Sequence, residues 1–485
     1  MHLLIKKLLP LSLVLSIAGC TNLSPNYTLP DAPIASNISG EDQVSETKSI
    51  KLKAWQVFFT NPNTRELIAL ALEHNRDLRI AAANVAEVQG LFQIQVQSLY
   101  PNVSGVGNNS ITGNSKSLTG TDNTTRRYAA SVGITSYEID FWGRVRNLSD
   151  AALASYFSTL EAQRASKLTV ISSTARAYSN WVAATQNLQL AEKTLNGRTE
   201  YFDLIQLRES IGIASALDLA QAEVAKLTVE AQRAQSQRGL SDAQAALELL
   251  VGTPIGKLLK SQTLGPRVAY DFVIPKNLSS QSILLRPDVI AAEEQLRSAN
   301  ANIGAARAAF FPSVSLTGSA GFASGDLNRL FNSDSRSWSF MPSLSIPLFG
   351  NANQANLDVA NARNQKSVAQ YEKAIQRAFS EVYSNFNNRV ARGREIDANR
   401  RLVKAQQKRM SLAAARYDAG LSSYIEVLDA QQNLFSDQQS LLESERGEAA
   451  SIIDLYRALG GGDELQQSFR SRSLKAQSKL TSLKK

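Results

Sequence analysis

A change of hydrophobic period at Pro312 is the feature that most constrains the fold. Before the proline, apolar residues recur every three or four positions, which predicts one face of a helix. These are Val289, Ala292, Leu296, Ala299 and Ile303. After it the period is two, typical of a strand with one apolar and one polar face. The apolar positions there are Val314, Leu316, Ala320 and Phe322. Because proline removes a helical donor, the sequence predicts a helix that ends at Pro312 and a strand that follows.

A second strand is predicted from Ser337, where apolar and polar residues alternate as far as Gly350. Pro342 and Pro347 lie inside this segment. Proline cannot donate to a strand ladder, so it belongs at an edge, an end or a bulge. The expectation is a hairpin over about 312–350 that becomes irregular near its exit.

The same order of segments occurs earlier in the chain. SLYPNVSG corresponds to AFFPSVSL, DFWGRVRN to PLFGNANQ, and ESIGIASALDLAQA to DAGLSSYIEVLDAQ. Spacings of about 207 to 211 residues indicate an internal duplication. The predicted first repeat covers 54–253, with a hairpin at about 101–143. A linker covers 254–282, and the second repeat covers 283–462.

The net charge and the small numbers of cysteine and histidine residues argue against several classes of function. The net charge is +9, and six of the basic residues follow the last acidic residue, Glu464. The rest of the chain is nearly neutral, which argues against a nucleic-acid partner. One cysteine and two histidines disfavour zinc sites and hydrolase triads. We therefore expect no catalytic residue, no metal site and no cofactor, and a surface enzyme is the least favoured class.

The first residues have the layout of a secretory signal, with Lys6 and Lys7 before an apolar core. Residues 16–20, SIAGC, resemble a bacterial lipobox, which implies a signal peptide over 1–19 and lipidation of Cys20. The alternative is an ordinary signal peptide with an incidental cysteine. Residues 20–53 are rich in proline and polar residues, which predicts an extended tether. The basic tail at 463–485 is predicted to be a solvated end.

The sequence also predicts long helices, both before and after the hairpins. The first helix is predicted from near Thr64 to Leu99. No proline occurs between Pro101 and Pro254, or after Pro347, so two unbroken helices can follow each hairpin. The segment from Arg144 to about Arg208 would span about 95 Å as a helix. A seven-residue apolar spacing in the second repeat predicts coiled-coil packing. Its members are Leu428, Phe435, Leu442, Ala449 and Tyr456.

Two hairpins supply four strands, which is too few to close a barrel in a membrane. An open sheet edge in lipid leaves backbone groups unsatisfied, so further copies of the chain must complete the sheet. Two copies would give about eight strands and three about twelve, and strand number alone does not decide between them. A barrel continued by long helices is a tube, which indicates transport.

The chain resembles a TolC-type outer-membrane factor, of the lipoprotein branch that serves resistance-nodulation-division (RND) efflux pumps. The likeness rests on RPDVIAAEEQL, IGAARAAFFPSVSLTG, the FWG and LFG hairpin exits, and the glycine turns at Gly212 and Gly420. It covers nearly everything from Cys20 to about Gly462. The resemblance implies an α+β membrane protein that forms a homotrimer. Its four strands per chain would complete a twelve-stranded outer-membrane barrel, continued by a periplasmic α-helical, coiled-coil barrel.

The resemblance also implies partners. The expected ones are a periplasmic adaptor (membrane fusion protein), an inner-membrane RND-type pump, and outer-membrane lipid through acylated Cys20. In the family the periplasmic turns meet the adaptor. The predicted docking residues are Ile211, Gly212, Ile213, Ala419, Gly420 and Leu421. The alternative is that these residues are only helix turns.

Four residues are predicted to form a periplasmic gate. Glu426 and Asp429 match acidic positions that line the constriction in TolC-type proteins, and three copies would form a ring of carboxylates. Ser423 and Glu426, like Ser215 and Asp218, also have the spacing of a helix capping box, which is the simpler interpretation of Glu426 and Asp218.

Tyr417 and Asp218 occupy family positions that hold the tunnel shut through a hydrogen bond. Ser422 stands where the family has an arginine, so a latch here must be weaker or built differently.

The leading prediction is a passive outer-membrane exit duct for drugs or other small molecules. Within the same class, type I protein secretion and metal efflux remain alternatives, and lipidation favours small-molecule efflux by resemblance only. A different class, a structural coiled-coil lipoprotein, is disfavoured because a spacer does not need the alternating hairpins.

Overall fold

The computed structural model describes residues 22–35, 54–114, 117, 123–261, 280–350 and 352–462. The predicted signal peptide, Cys20, most of the tether, much of the linker and the basic tail lie outside these residues. Within them, no helix is both long and apolar enough to cross a membrane.

In each half of the chain, helices of up to 22 residues precede a β-hairpin, and two long helices follow it. The first half contains α1 (Trp55–Phe58), α2 (Pro62–His74), α3 (Arg76–Gln97), β1 (Val103–Asn114), β2 (Asn123–Ile139), α4 (Arg144–Ser210), α5 (Ala216–Val251) and α6 (Gly256–Ser261). The second contains α7 (Pro287–Ala308), β3 (Ser313–Ser324), β4 (Arg336–Ser345), α8 (Asn353–Asp418) and α9 (Tyr424–Ala458). The predicted α+β class with a duplicated unit is confirmed.

The helix-to-strand change at Pro312 is also confirmed. Helix α7 ends at Ala308, and the backbone N–H of Phe311 donates to the Ala308 carbonyl at 3.1 Å in a tighter last turn. Strand β3 begins directly after the proline. Helices α4 and α8 contain 67 and 66 residues, and each is about 100 Å long at 1.5 Å per residue.

The predicted first helix is wrong in one respect, because it is two helices that break at Asn75. The backbone of Asn75 is extended (φ −62°, ψ 133°). Its side-chain oxygen accepts from the Leu78 N–H at 3.1 Å, and its amide donates to the Leu250 carbonyl at 2.8 Å. Asparagine competes well for such capping positions, so it ends α2 and starts α3.

The four strands form one antiparallel sheet in the order β1-β2-β3-β4. The β2–β3 register shifts between Ile134 and Tyr137, where Ser136 has φ 50° and its N–H donates to the Thr317 hydroxyl at 3.2 Å. On β4, Pro342 lies opposite Leu316 of β3, and within a single chain β4 is an outer strand. It ends at Ser345, before the predicted limit at Gly350, since Pro347 cannot continue the ladder.

The chain divides into two compact units that do not coincide with the two repeats. One comprises residues 1–32, 83–160 and 290–373 and contains the sheet; the other comprises 33–82, 161–289 and 374–485. The second unit has a core drawn from both halves of the sequence. Its most buried members include Phe58, Leu67, Ile171, Tyr178, Leu247 and Tyr456.

In the sheet-containing unit, residues 22–27 have no regular secondary structure and contact helices α4 and α7. The Asn147 amide donates to the Asn22 side-chain oxygen at 2.8 Å, and the Asn300 amide donates to the Pro25 carbonyl at 3.0 Å. A Cβ at Gly304 would lie 2.4 Å from the Asn147 amide nitrogen and 2.7 Å from the Ser24 Cα. Glycine is therefore required where this segment crosses α7.

Candidate functional site

The turns that join the long helices have the same backbone structure. At the first, Gly212 (φ 77°) donates to the Glu209 carbonyl at 2.9 Å, and Ile213 donates to the Arg208 carbonyl at 2.8 Å. At the second, Gly420 (φ 70°) and Leu421 make the same bonds at 2.9 and 2.8 Å. Both are Schellman motifs, in which a glycine adopts the left-handed conformation that ends the helix.

Both turns expose large apolar side chains. Ile211, Ile213 and Leu421 are 62%, 72% and 71% exposed. Leu217 and Ile425, in the first turns of α5 and α9, are also exposed. A group of exposed apolar side chains is typical of an interaction surface. A Cβ at Gly212 or Gly420 would meet no atom within 4 Å, so both glycines are required for their backbone angle and not for space.

Beneath the turns, a small core joins the four long helices. Its buried residues are Ile205, Ala222, Ala413, Tyr424, Val427 and Ala430. The ring of Tyr424 stacks on that of Tyr201 at 5.5 Å and lies 5.5 Å from that of Tyr417. Burial raises the pKa of the Tyr424 phenol to about 12. The core fixes both turns on one support.

The capping-box interpretation is confirmed for Asp218. Its carboxylate accepts from the Ser215 N–H at 3.1 Å and from the Ser215 hydroxyl at 2.7 Å. The Asp218 N–H donates back to that hydroxyl at 3.1 Å. The first turn is therefore closed by reciprocal hydrogen bonds at the start of α5.

The corresponding interpretation is wrong for Glu426. Ser423 is the N-cap residue of α9, but its side chain makes no capping hydrogen bond, and the Glu426 N–H donates to the Ser423 carbonyl instead. The Glu426 side chain is exposed. Asp429 forms an ion pair with Arg409 of α8, and the Asn433 amide donates to its carboxylate at 3.1 Å.

Among the described residues, no hydrogen bond joins Tyr417 and Asp218. The Arg208 guanidinium lies over the Tyr417 ring at 5.3 Å and is 3.6 Å from the Asp418 carboxylate. These contacts join the last turns of α4 and α8. The Ser422 hydroxyl, at the position of the family arginine, is buried and has no hydrogen-bond partner among the residues that the structure describes.

Arg198 was not predicted as part of this site. It is 4% exposed, and burial lowers its pKa. Its Nε and one Nη have no hydrogen-bond partner in the described part of the chain. Arg409 and Arg208 were also missed. Arg409 could have been found, because it lies on α8 only slightly farther before Gly420 than Asp429 lies after it. Positions equally distant from a helical turn lie side by side. Arg198 gives no such signal.

Among the described residues, no group of three or more His, Cys, Asp and Glu side chains is placed to hold a metal ion. The chain instead combines an open antiparallel sheet with paired long helices and apolar turns. This combination defines the class of outer-membrane channel subunits.

Comparison with known proteins identifies the family. The outer membrane efflux protein family model matches residues 67–253 and 278–461. The chain is 39% identical over 459 residues to the cation efflux system protein CusC of Escherichia coli K12, covering 94% of this chain and 99% of CusC. It is 40% identical over 473 residues to the solvent efflux pump outer membrane protein SrpC of Pseudomonas putida, covering 95% and 99%.

Its fold matches the open state of the Neisseria gonorrhoeae MtrE outer membrane channel, with a TM-score of 0.81 and 34% identity over 91% of this chain and 98% of MtrE. The chain therefore belongs to the outer membrane efflux protein family, as the sequence resemblance implied. The predicted function, an efflux channel, and the predicted location, the outer membrane, are confirmed. The family consists of channel-type efflux proteins and not of enzymes.

Proposed function

We propose that the chain is the passive exit duct of a tripartite efflux pump, driven by an inner-membrane RND-type pump through a periplasmic adaptor. The observation that carries the proposal is the pair of Schellman turns with exposed apolar side chains. They give one end of the helical hairpins a surface suited to a protein partner.

Three copies would complete the barrel. Strands β1 and β4 each pair on one side only in the chain, and both are exposed along their length. Unpaired strand edges are not tolerated in lipid, so β4 of one copy would pair with β1 of the next. The family resemblance selects three copies over two, which gives a twelve-stranded barrel.

The adaptor would dock on Ile211, Gly212 and Ile213 of the first turn and on Ala419, Gly420 and Leu421 of the second. Apolar side chains on a rigid support bind a partner without a large cost of ordering. The core around Tyr424 supplies that support. The pump would supply the energy for transport, and the docked adaptor would connect the pump to the duct.

The gate would involve Glu426 and Asp429 as a ring of carboxylates, with Tyr417 and Asp218 holding the adjoining turns. Glu426 has a free, exposed carboxylate in the described chain, whereas Asp429 is partly neutralised by Arg409. Three exposed Glu426 side chains around one axis would repel one another and attract cations.

Acylated Cys20 would anchor each copy to outer-membrane lipid. The described residues that follow it support this arrangement, because residues 22–27 contact Asn147, Asn300 and Arg297. An anchor at Cys20 would then be attached to a fixed segment.

The substrate is proposed to be a drug or another small molecule. Sequence identity does not select one, since the relatives named for cation efflux and for solvent efflux are 39% and 40% identical to the chain. The duct would accept what its pump delivers.

The test is accumulation of a fluorescent dye in a Gram-negative cell that lacks its own outer-membrane factors. The cell is supplied with this chain, its adaptor and its pump, and susceptibility to antibiotics, solvents and metal cations is measured in parallel. We expect dye to fall and resistance to drugs or solvents to rise. Cys20→Ser and Gly420→Asp should each reduce both effects.

Gly90→Asp is the matched control for Gly420→Asp, because a Cβ at Gly90 also meets nothing within 4 Å but its backbone is helical. Unchanged dye and resistance, with the chain present as an outer-membrane trimer, would contradict drug efflux. Resistance to cations alone would contradict the proposed substrate and retain the duct.

A further inference from the structure

The connections between paired strands lie at the end of the sheet opposite the helices. Helices α3 and α7 lead into β1 and β3, and α4 and α8 follow β2 and β4. The antiparallel order therefore places the connection between β3 and β4, residues 325–335, at the other end. In outer-membrane efflux channels of this fold the long helices are periplasmic. The connection between β3 and β4 consequently lies at the outer surface of the outer membrane.

One face of the sheet is apolar. The strand register places Val132 of β2 opposite Ala320 of β3, and Ala320 opposite Trp338 of β4. Val132 and Trp338 are 57% and 79% exposed. The opposite face is polar at the same level, where the hydroxyls of Ser319 and Ser339 are hydrogen bonded at 2.8 Å. An apolar outer face and a polar inner face are typical of a membrane barrel, so the apolar face is the one that contacts lipid.

Two arginines continue the lipid-contacting face at its outer end. Arg336 lies opposite Phe322 and two residues before Trp338. On β2, Arg126 lies four residues before Ala130, the partner of Phe322. The even spacing keeps both arginines on this face. Both side chains are exposed, and neither has an ion pair or a hydrogen bond with another described residue. Strand β1, which would pair with β4 of the next copy, contains no acidic residue that could neutralise them.

The connection between β3 and β4 adds an aromatic side chain to the same face. The ring of Phe331 meets that of Phe322 edge-on, with centroids 5.6 Å apart, and Phe331 is 72% exposed. The connection is itself folded, because Arg329 pairs with Asp334 at 3.3 Å and the Ser335 hydroxyl donates to the Arg329 carbonyl at 2.8 Å. An exposed aromatic side chain beside cations is suited to the boundary between acyl chains and head groups.

We propose that Arg126 and Arg336 bind the phosphates of a phosphorylated glycolipid of the outer leaflet, lipid A, with Phe331 against its acyl chains. Guanidinium groups bind phosphate through paired, charge-assisted hydrogen bonds. The two arginines lie about 10 Å apart across the sheet and about 13 Å apart along it, being two strands and four residues apart. A molecule with two separated phosphates suits that spacing better than a phospholipid with one.

The proposal depends on the outer-membrane location and on the sheet, and not on the substrate, the docking turns or the gate. A site for lipid at the outer rim would fix the depth of the barrel in the membrane. The efflux activity does not require or imply such a site.

The test is native mass spectrometry of the purified full chain in detergent, with added lipid A that carries two phosphates. Arg126→Gln and Arg336→Gln should each weaken binding about five-fold, the usual contribution of one basic residue at an anionic membrane surface, and the double variant more. Arg127→Gln is the matched control. It removes the same charge from the next residue of β2, but Arg127 lies on the opposite face, so binding should not change.

Two further lipids identify the ligand. Lipid A with one phosphate and phosphatidylglycerol should both bind more weakly than the form with two phosphates, and the double variant should reduce that difference. Arg126→Lys keeps the charge without the paired donors and should retain part of the affinity. Equal losses in Arg126→Gln and Arg127→Gln, or no loss in the double variant, would overturn the site. Equal binding of phosphatidylglycerol and the form with two phosphates would overturn lipid A as its ligand.

Discussion

The two turns of the helical hairpins share a backbone and differ in their side chains. Each ends a long helix with a glycine at positive φ and the same two hydrogen bonds. The first turn then closes with the Ser215–Asp218 capping box, whereas Ser423 at the second makes no side-chain bond. The acidic side chains of α9 are left for other roles: Glu426 is exposed, and Asp429 pairs across the hairpin with Arg409.

The difference shows how a duplicated element can become specialised. A capping box fixes a helix start locally, and the first hairpin has one. The second hairpin has no such box, and near its turn α8 and α9 are joined by an exposed ion pair, which is weaker and can exchange partners. We therefore expect the first hairpin to be the static member of the pair and the second to be the one that moves when the duct opens.

The largest effect is expected from a charge on the turns. Ile213→Glu and Leu421→Glu should each return dye accumulation to the level of cells without the chain, because a buried unpaired charge would oppose adaptor docking. Ile213→Val and Leu421→Met keep an apolar surface and should retain efflux. Retention of efflux by both glutamate variants would show that the turns are not the docking surface. Loss in only one would assign docking to that turn.

The ion pair between Arg409 and Asp429 should have the next largest effect. Arg409→Gln and Asp429→Asn each break the pair, and each should increase the entry of a large antibiotic that the outer membrane normally excludes. The exchange Arg409→Asp with Asp429→Arg should restore the barrier in part. The measurement is susceptibility to that antibiotic in cells without a pump.

Single-channel conductance separates the ion pair from a carboxylate ring. If Asp429 acts mainly in a ring, Asp429→Asn should lower cation selectivity and Arg409→Gln should not. If both variants raise conductance alike, the pair is the barrier. Unchanged entry and conductance in both variants would exclude Asp429 from the gate.

Much of the fold was predictable because local sequence patterns determine it. The change of period at Pro312, the absence of proline in the long helices and the repeated glycine turns are all local, and the structure has the helix end, the long helices and the turns at those positions. The break at Asn75 was not predicted, because the apolar spacing continues through it. The break depends on a contact with Leu250, which is distant in sequence.

The site was predicted less completely, because some of its contacts also join residues that are distant in the sequence. The serine and aspartate spacing was sufficient to predict the capping box at Asp218. The same spacing at Ser423 and Glu426 supported a capping box as the alternative to a gate role, and that alternative is wrong, because the Glu426 N–H donates to the Ser423 carbonyl and the Ser423 hydroxyl makes no capping bond. Arg208 contacts the ring of Tyr417 on another helix, and no local pattern in the sequence marks such a contact.

The two caps give a smaller and more direct test of the comparison. Ser215→Ala should weaken the start of α5 by about 1 kcal/mol, the usual contribution of an N-cap side chain. Ser423→Ala should change the start of α9 by much less, because no capping bond is lost. Amide hydrogen exchange in the first turns of α5 and α9 measures both local openings within the intact assembly. Equal changes at the two positions would contradict the proposed specialisation.

The smallest effect is expected at Tyr417, where the ring and the hydroxyl can be separated. The ring contacts Arg208 and Tyr424, and such cation–π contacts are worth about 0.5–1 kcal/mol at exposed sites. Tyr417→Phe keeps the ring, so leak of the large antibiotic should change little, while Tyr417→Ala should raise it. If Tyr417→Phe raises leak as much as Tyr417→Ala, the hydroxyl is the latch. Its partner would then be tested with Asp218→Ala, which would have to raise leak beyond the effect of Ser215→Ala on the cap alone.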